Sequence, residues 1–301
     1  MTELTPDPSP RLREVAVISG KGGTGKTSIT ASLAMLASRA VIVDCDVDAA
    51  DLHLVLTPRV EERHTFHGAR EASIRQDDCL RCGDCMADCR FDAIRMEEGP
   101  LGVPSYSVDP LSCEGCGVCV RFCPAQAIDF NERVCGEWMV SWTRCGPMVH
   151  ARLGIAAENS GRLVSTVREK AVSLAQSENR PLVIIDGPPG IGCPVIASIT
   201  GASLVLVVIE PTVSGEHDLE RVLALARHFS IPAAVCVNKW DLNPEMTERI
   251  ENAALLSMAT VAGRVRYDPA VTDAQIQERA VVESDSPAAN DIKQLYDKLG
   301  L

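Results

Sequence analysis

Two sets of residues in this sequence could do chemistry. The first is the run Gly20-Lys21-Gly22-Gly23-Thr24-Gly25-Lys26-Thr27, which fits G-x-x-x-x-G-K-S/T. Glycines let the backbone curl so that successive N–H groups point inward, and a helix N-terminus behind them adds its dipole. Such a cradle suits a nucleotide phosphate. The backbone from Gly20 to Ser28 would hold it, Lys26 would neutralise the β and γ phosphates, and the Thr27 hydroxyl would hold Mg²⁺. The second set is eight of the 13 cysteines, in the runs Cys79-x2-Cys82-x2-Cys85-x3-Cys89 and Cys113-x2-Cys116-x2-Cys119-x3-Cys123. Thiolates at that density are soft metal ligands.

The cysteine spacing is that of bacterial two-cluster ferredoxins, in which the fourth thiolate of each run reaches the other cluster. It assigns Cys79, Cys82, Cys85 and Cys123 to one [4Fe–4S] cluster, and Cys113, Cys116, Cys119 and Cys89 to the second. Zinc is the competing ligand, but one tetrahedral ion needs only four thiolates. The runs repeat at an offset of 34 residues: Cys82-Gly83 answers Cys116-Gly117, and Ala93-Ile94 answers Ala127-Ile128. One position departs from the pattern, because Arg90 stands where a proline is expected after Cys89.

Elements must position both sets. Val15–Ser19, Ala40–Asp44, Leu182–Ile185, Leu204–Ile209 and Ala233–Val237 are short apolar runs and read as buried strands. Lys26–Ala37, Leu163–Gln176, His217–Phe229 and Pro244–Leu255 have helical spacing between them. Apolar strands alternating with helices predict an α/β fold with a parallel sheet covered on both faces. Between about Arg59 and Arg133 the pattern gives way to Cys, Gly, Pro and charge. The expected organisation is therefore a discontinuous domain of residues 1–60 and 134–301, with an α+β ferredoxin-like module at 61–133. In the last helix Ile292, Leu295, Tyr296 and Leu299 share one face, which predicts core packing rather than membrane attachment.

Strand ends add three aspartates. Asp44 and Asp46 close Val41-Ile42-Val43-Asp44-Cys45-Asp46, and Asp186 closes Val183-Ile184-Ile185-Asp186 ahead of Gly187-Pro188-Pro189-Gly190. A lone charge at a buried strand end is costly unless it serves a metal or a cation. For each aspartate taken singly, a strand-end cap explains it equally well; beside a phosphate loop, catalysis is the better reading. Asn238-Lys239-Trp240-Asp241 matches N-K-x-D, a guanine-reading pattern.

These motifs resemble the deviant Walker A ATPases of the MinD/Mrp/ParA type, related to the nitrogenase iron protein, in the subgroup with an inserted ferredoxin. Glu210-Pro211-Thr212-Val213-Ser214-Gly215 and Asn159-Ser160-Gly161-Arg162-Leu163-Val164 extend the likeness. The resemblance implies a parallel-sheet P-loop NTPase fold, hydrolysis of ATP, and a homodimer in which Lys21 reaches the partner's nucleotide. It further implies that Asp46 orients the attacking water and that Asp44 and Asp186 serve Mg²⁺. Asn238 would contact adenine, while Asp241 keeps GTP open. The implied function is nucleotide-gated electron transfer by two [4Fe–4S] clusters, in redox or metal-cofactor assembly, with a redox or apo-protein partner. A cluster scaffold or a positioning switch is the alternative. Cys193, seven residues beyond Asp186, stands where the nitrogenase iron protein carries a bridging-cluster ligand, with Cys145 as a conceivable companion; a plain buried thiol is the favoured reading.

A net charge of −12, with a pI near 5.0, argues against a nucleic-acid partner. No apolar run is long enough to span a membrane. Met1–Pro10 is polar and proline-rich, without the apolar stretch of a signal peptide, so the cytoplasm is the expected compartment.

Overall fold

The computed structural model describes residues 12–99, 102–154 and 160–301. The expectations resting on the first ten residues and on Asn159 fall outside that range. The chain divides into two compact units. One holds the chain up to His64, Trp138–Arg152 and Ser160–Leu301; the other holds Thr65–Glu137 and a short stretch from Leu153.

The larger unit is built on parallel strands: β1 (Arg13–Ser19), β2 (Ala40–Asp44), β8 (Leu182–Pro189), β9 (Leu204–Ile209), β10 (Ala233–Asn238) and β11 (Thr260–Val265). β1 pairs with β8 and β9, β10 pairs with β9 and β11, and β2 pairs with β8, all in parallel. The apolar side chains of these strands lose their water to helices: Val15, Val17, Ile42, Ile184 and Leu206 share one core with Ile29 and Leu33 of α1 (Lys26–Leu36). The remaining helices of this unit are α2 (Leu52–Leu56), α5 (Ser160–Ser177), α6 (Cys193–Ile199), α7 (Val213–His228), α8 (Pro244–Leu256), α9 (Ala270–Ile276) and α10 (Pro287–Leu299). Helix α10 buries Ile292 and Leu295 in that core, and Tyr296 and Leu299 pack against it, so its apolar face is spent internally. Among the described residues, no helix is long and apolar enough to cross a membrane.

Besides β11, three strands of this sheet escaped the sequence reading. β3 (Arg59–Ile74), β6 (Ile128–Thr143) and β7 (Gly146–Leu153) extend the sheet to nine strands in the order β11-β10-β9-β1-β8-β2-β7-β6-β3. The sheet is therefore mixed and mostly parallel, because the two-residue link between β6 and β7 reverses the chain. β3 carries no apolar run because it is the edge strand: Glu61, Glu62, Arg63 and His64 are all exposed. Charge along an edge discourages pairing with another chain, and it also removes the pattern by which a strand is recognised.

In the smaller unit, β4 (Ile94–Glu98) and β5 (Pro104–Val108) form an antiparallel pair. Two single-turn helices, α3 (Asp84–Ala87) and α4 (Val118–Phe122), follow Gly83 and Gly117. The internal repeat is a structural one. Arg75 N donates to Ala127 O at 2.8 Å, and Asp109 N donates to Ala93 O at 2.7 Å, the same bond displaced by the repeat offset.

The helix-on-sheet packing makes a direct prediction. Leu33 has no exposed surface, whereas Leu256 is 87% exposed. Leu33→Ala should cost about 2–5 kcal/mol and Leu256→Ala less than about 0.5 kcal/mol, read from urea denaturation midpoints at unchanged m.

Candidate functional site

The phosphate loop lies between β1 and α1, at the carboxyl ends of the parallel strands. Gly25 caps α1 with a left-handed φ of 83°, and a Cβ there would come within 2.3 Å of Asn238 Nδ2. Both reasons require glycine. Asn238 in turn donates to Thr24 O at 2.7 Å, so the end of β10 braces the loop. Thr24 Oγ1 is buried and has no hydrogen-bond partner. A buried hydroxyl left unpaired costs free energy, and at this place a phosphate oxygen would satisfy it. The cavity beside the loop is about 1740 Å³, including the space open to solvent. Gly22 to Ser28, Asp46, Asn238 and Lys239 line it, which leaves room for a whole nucleotide.

Strand register gathers the carboxylates. Asp44 of β2 is level with Asp186 of β8. Lys26 Nζ contacts Asp186 Oδ1 at 2.8 Å, Thr27 Oγ1 donates to Asp186 Oδ2 at 2.8 Å, and Thr30 Oγ1 donates to Oδ1 at 3.0 Å. Asp46 is 3.9 Å from Lys26 Nζ. Asp44 accepts from the Asp46 and Leu52 backbone N–H groups at 3.1 and 3.3 Å. Burial, with the Asp186 carboxylate beside it, pushes the Asp44 pKa well above the ordinary range. Burial likewise pushes Asp46 up to about 6, against the pull of the Lys26 ammonium. Burial lowers the Lys26 pKa, but contact with Asp186 outweighs it and the net shift is upward. The site therefore holds three carboxylates against one buried ammonium. That surplus suits a divalent cation, with the Thr27 hydroxyl and Asp186 as the group that would hold it.

Other predicted residues are placed differently. Lys21 is tied within its own chain, 3.4 Å from Glu210 Oε2 and 3.4 Å from Ser214 Oγ. Asp241 accepts from Tyr267 N at 2.6 Å and does not line the cavity. The far wall of the cavity includes Arg266, Tyr267, Val271 and Gln275, with Gln275 Nε2 donating to Ser28 Oγ at 2.8 Å. Sequence reasoning missed this wall, since nothing between Arg266 and Gln275 forms a motif.

The eight cysteines gather into two hollows. Cys79, Cys82, Cys85 and Cys123 line one of about 350 Å³; Cys89, Cys113, Cys116 and Cys119 line another of about 320 Å³. The other walls are mostly apolar and correspond across the repeat: Ile74 with Val108, Ala127 with Ala93, and Ile128 with Ile94. Cys89 Sγ accepts from Ala93 N and Cys123 Sγ from Ala127 N, each at 3.4 Å. Among the described residues, no three His, Cys, Asp or Glu side chains converge as the ligands of one ion do. Four thiols ringing a hollow, with an N–H group aimed at sulfur in each, fit a polynuclear iron–sulfur group. Burial pushes the Cys85 thiol up to about 11 and raises Cys119 as well, so these sulfurs give up protons only to a competing ligand such as a metal.

Cys45, just past the end of β2, and Cys236, within β10, are buried, as expected of core thiols, and burial raises Cys236 to about 12. Cys193 differs from its favoured reading: it is exposed at the start of α6, directly after the N-cap Gly192. Cys145 lies in the β6–β7 turn, 3.2 Å from Thr143 Oγ1.

Comparison with known proteins agrees with this geometry. The family described as "CobQ/CobB/MinD/ParA nucleotide binding domain" matches residues 15–281. Uncharacterized protein MJ0578 of Methanocaldococcus jannaschii is 31% identical over 295 residues, covering 96% of both chains. The cell division ATPase MinD of Pyrococcus furiosus has a similar fold, with a TM-score of 0.55 and 17% identity over 96% of this chain and 98% of that one. A methylamine utilization ferredoxin-type protein, MauM of Methylobacillus flagellatus, is 35% identical over 60 residues, which is 18% of this chain and 26% of that protein. The phosphate loop, the aspartates gathered around it and the match along most of the chain make this protein a member of the CobQ/CobB/MinD/ParA family of nucleotide-binding proteins.

Proposed function

We propose that this protein binds and hydrolyses Mg-ATP and couples its nucleotide state to electron transfer through two [4Fe–4S] clusters. The observation that carries the reading is the sorting of eight cysteines into two equivalent four-thiol hollows, in a chain that also holds a phosphate loop against Asp186. A positioning switch of the MinD type would use the same nucleotide site but leaves those eight thiols without a task. Bound clusters would supply one-electron storage. ATP is favoured over GTP because Asp241 is committed to the Tyr267 backbone and stands off the cavity wall.

The chain's own residues divide the work. Lys26 would neutralise the phosphates, Thr27 and Asp186 would hold Mg²⁺, and Thr24 Oγ1 would gain its missing partner. Asp46, half-buried and facing the same cavity, would orient the attacking water, with Asp44 supporting it through the backbone bond between them. Lys21, parked on Glu210, would be released to reach the nucleotide of a second copy in a homodimer. The strand that ends at Asp44 leads through α2 and β3 into the cysteine-bearing segment, so a movement after Asp46 would have a direct route along the chain.

The reading is tested by anaerobic purification with iron analysis and redox titration. About eight irons per chain are expected, with cluster potentials that differ between the Mg-ADP and Mg-ATP forms. Iron-poor protein after reconstitution, or identical potentials in both forms, sinks it.

Lys26→Ala should lower ATP turnover roughly 10²–10³-fold. That change also leaves the buried Asp186 without its cation, so Thr27→Ala, which keeps the ion pair, is the companion variant. Normal turnover in both would remove the phosphate loop from the mechanism.

Asp46 gives a prediction with a pH signature. Its folded pKa of about 6 lies above the unfolded value, so the ionised carboxylate costs stability above pH 6. The cost disappears as pH falls through 6 toward 4. Asp46→Asn should therefore raise the melting temperature of the nucleotide-free protein by about 2–4 °C at pH 7–8 and leave it unchanged near pH 4. The same variant should lose turnover roughly 10²-fold or more. Unchanged turnover would take Asp46 out of the reaction.

A further inference from the structure

Strand order places one carboxylate between two lysines beside the phosphate loop. β9 lies between β1 and β10, and Val237 of β10 is level with Ile209 at the end of β9. Glu210, the next residue, is flanked by the loop after β1 on one side and by the turn after β10 on the other. Lys239 Nζ donates to Glu210 Oε1 at 2.6 Å, and Lys21 Nζ lies 3.4 Å from Oε2. Each oxygen thus serves a different lysine. A further carboxylate, Asp218, packs on Gly20, but Lys21 pairs with Glu210.

The two holds are unequal. Lys239 is fixed at both ends. Its backbone N–H donates to Asn238 Oδ1 at 3.1 Å in a left-handed conformation with φ of 58°, and its ammonium makes the shorter contact to Glu210. A residue with a side chain keeps that conformation only where its surroundings impose it. Lys21 makes two long contacts, to Glu210 and to Ser214 Oγ, both at 3.4 Å, and its side chain is 35% exposed. Two ammoniums on one carboxylate repel each other, which loosens the weaker hold further. The Glu210 side chain is only 17% exposed, so its charge is costly without a cation. Lys239 removes that cost from the departure of Lys21, because Glu210 stays paired when Lys21 leaves. The Glu210 backbone is set by a tight turn: Thr212 N donates to Glu210 O at 2.8 Å, and a Cβ at Gly215 would meet that oxygen at 2.3 Å.

We propose that Glu210 and Lys239 are positioning residues for Lys21. The carboxylate stores Lys21 at the edge of the phosphate loop, and Lys239 is the counter-ion that stays behind when Lys21 departs. This rests on the reading that Mg-ATP joins two copies of the chain, with Lys21 of each reaching the other's nucleotide. Only ionic contacts are exchanged; no covalent bond or proton is involved.

The test is sedimentation of the full chain at saturating Mg-ATPγS, giving the dimer dissociation constant for wild type, Glu210→Gln, Lys239→Met and the double variant. Glu210→Gln keeps the side chain's shape and weakens its hold on Lys21. The constant should fall roughly 3–10-fold, since two weak, partly exposed ion pairs no longer have to open. Lys239→Met leaves Glu210 to Lys21 alone and should raise the constant roughly 3-fold or more. In the Glu210→Gln background Lys239→Met should have no further effect, because no carboxylate remains to hold Lys21. A general effect of charge, of nucleotide affinity or of folding would instead add in the double variant. Unchanged constants, a weaker dimer in Glu210→Gln, or a Lys239→Met effect that persists in the double variant would overturn the proposal while leaving the dimer in place. A wild-type chain that stays monomeric with Mg-ATPγS, or a Lys21→Ala variant that dimerises as wild type does, would remove the reading beneath it as well.

Discussion

Asp186 ends a central strand with its side chain 1% exposed, and an ionised carboxylate so placed is costly without close partners. Its partners all come from α1: the Lys26 ammonium and the Thr27 and Thr30 hydroxyls. The contact closes the phosphate loop over β8, because Lys26 can reach Asp186 only if the loop curls back across the strand ends. Parallel register then sets Asp44 level with Asp186, and Asp46 follows two residues on. Three carboxylates face one ammonium, and the imbalance is relieved partly by raised pKa values at Asp44 and Asp46. A site left short of positive charge is prepared for a cation arriving with a phosphate ligand.

The cysteine-bearing unit rests on a different principle. Its helices α3 and α4 have four and five residues, its strands β4 and β5 pair only with each other, and several of its apolar side chains, Leu80 and Phe122 among them, are largely exposed. Among the described residues its larger buried apolar side chains are Phe66, Ile94, Tyr106 and Ile128, and units of such size commonly depend on metal or disulfide links. The hydrogen bonds that remain aim at sulfur and across the repeat axis. On the proposed reading, metal binding and folding would be one event in this part of the chain, whereas the parallel strands of the larger unit are held by their own core.

Motifs whose geometry is local were legible from the amino acids. The glycine pattern of residues 20–27 dictates a curled backbone, the apolar runs dictate buried strands such as Ala40–Asp44, and the repeated cysteine spacing dictates which thiols gather together. Each of these depends on neighbours within a few residues or on an exact repeat. The edge strand β3 was hidden because its solvent-facing charges erase alternation. Cys193, at the start of α6, was misjudged as buried because a thiol before a proline looks the same in sequence whether it faces the core or the solvent.

Tertiary structure decided the rest. Asp241 accepts from the Tyr267 backbone because β10 and β11 lie side by side. Lys21 is parked on Glu210, at the end of β9, because β9 is the neighbour of β1. Arg266, Tyr267 and Gln275 reach the nucleotide cavity for the same kind of reason. The amino-acid sequence thus determined the chemistry that the chain carries, since ligand type and spacing are local properties. Which carboxylates, cations and walls meet at each site followed only from the strand order, because that order depends on long-range burial summed over the whole core.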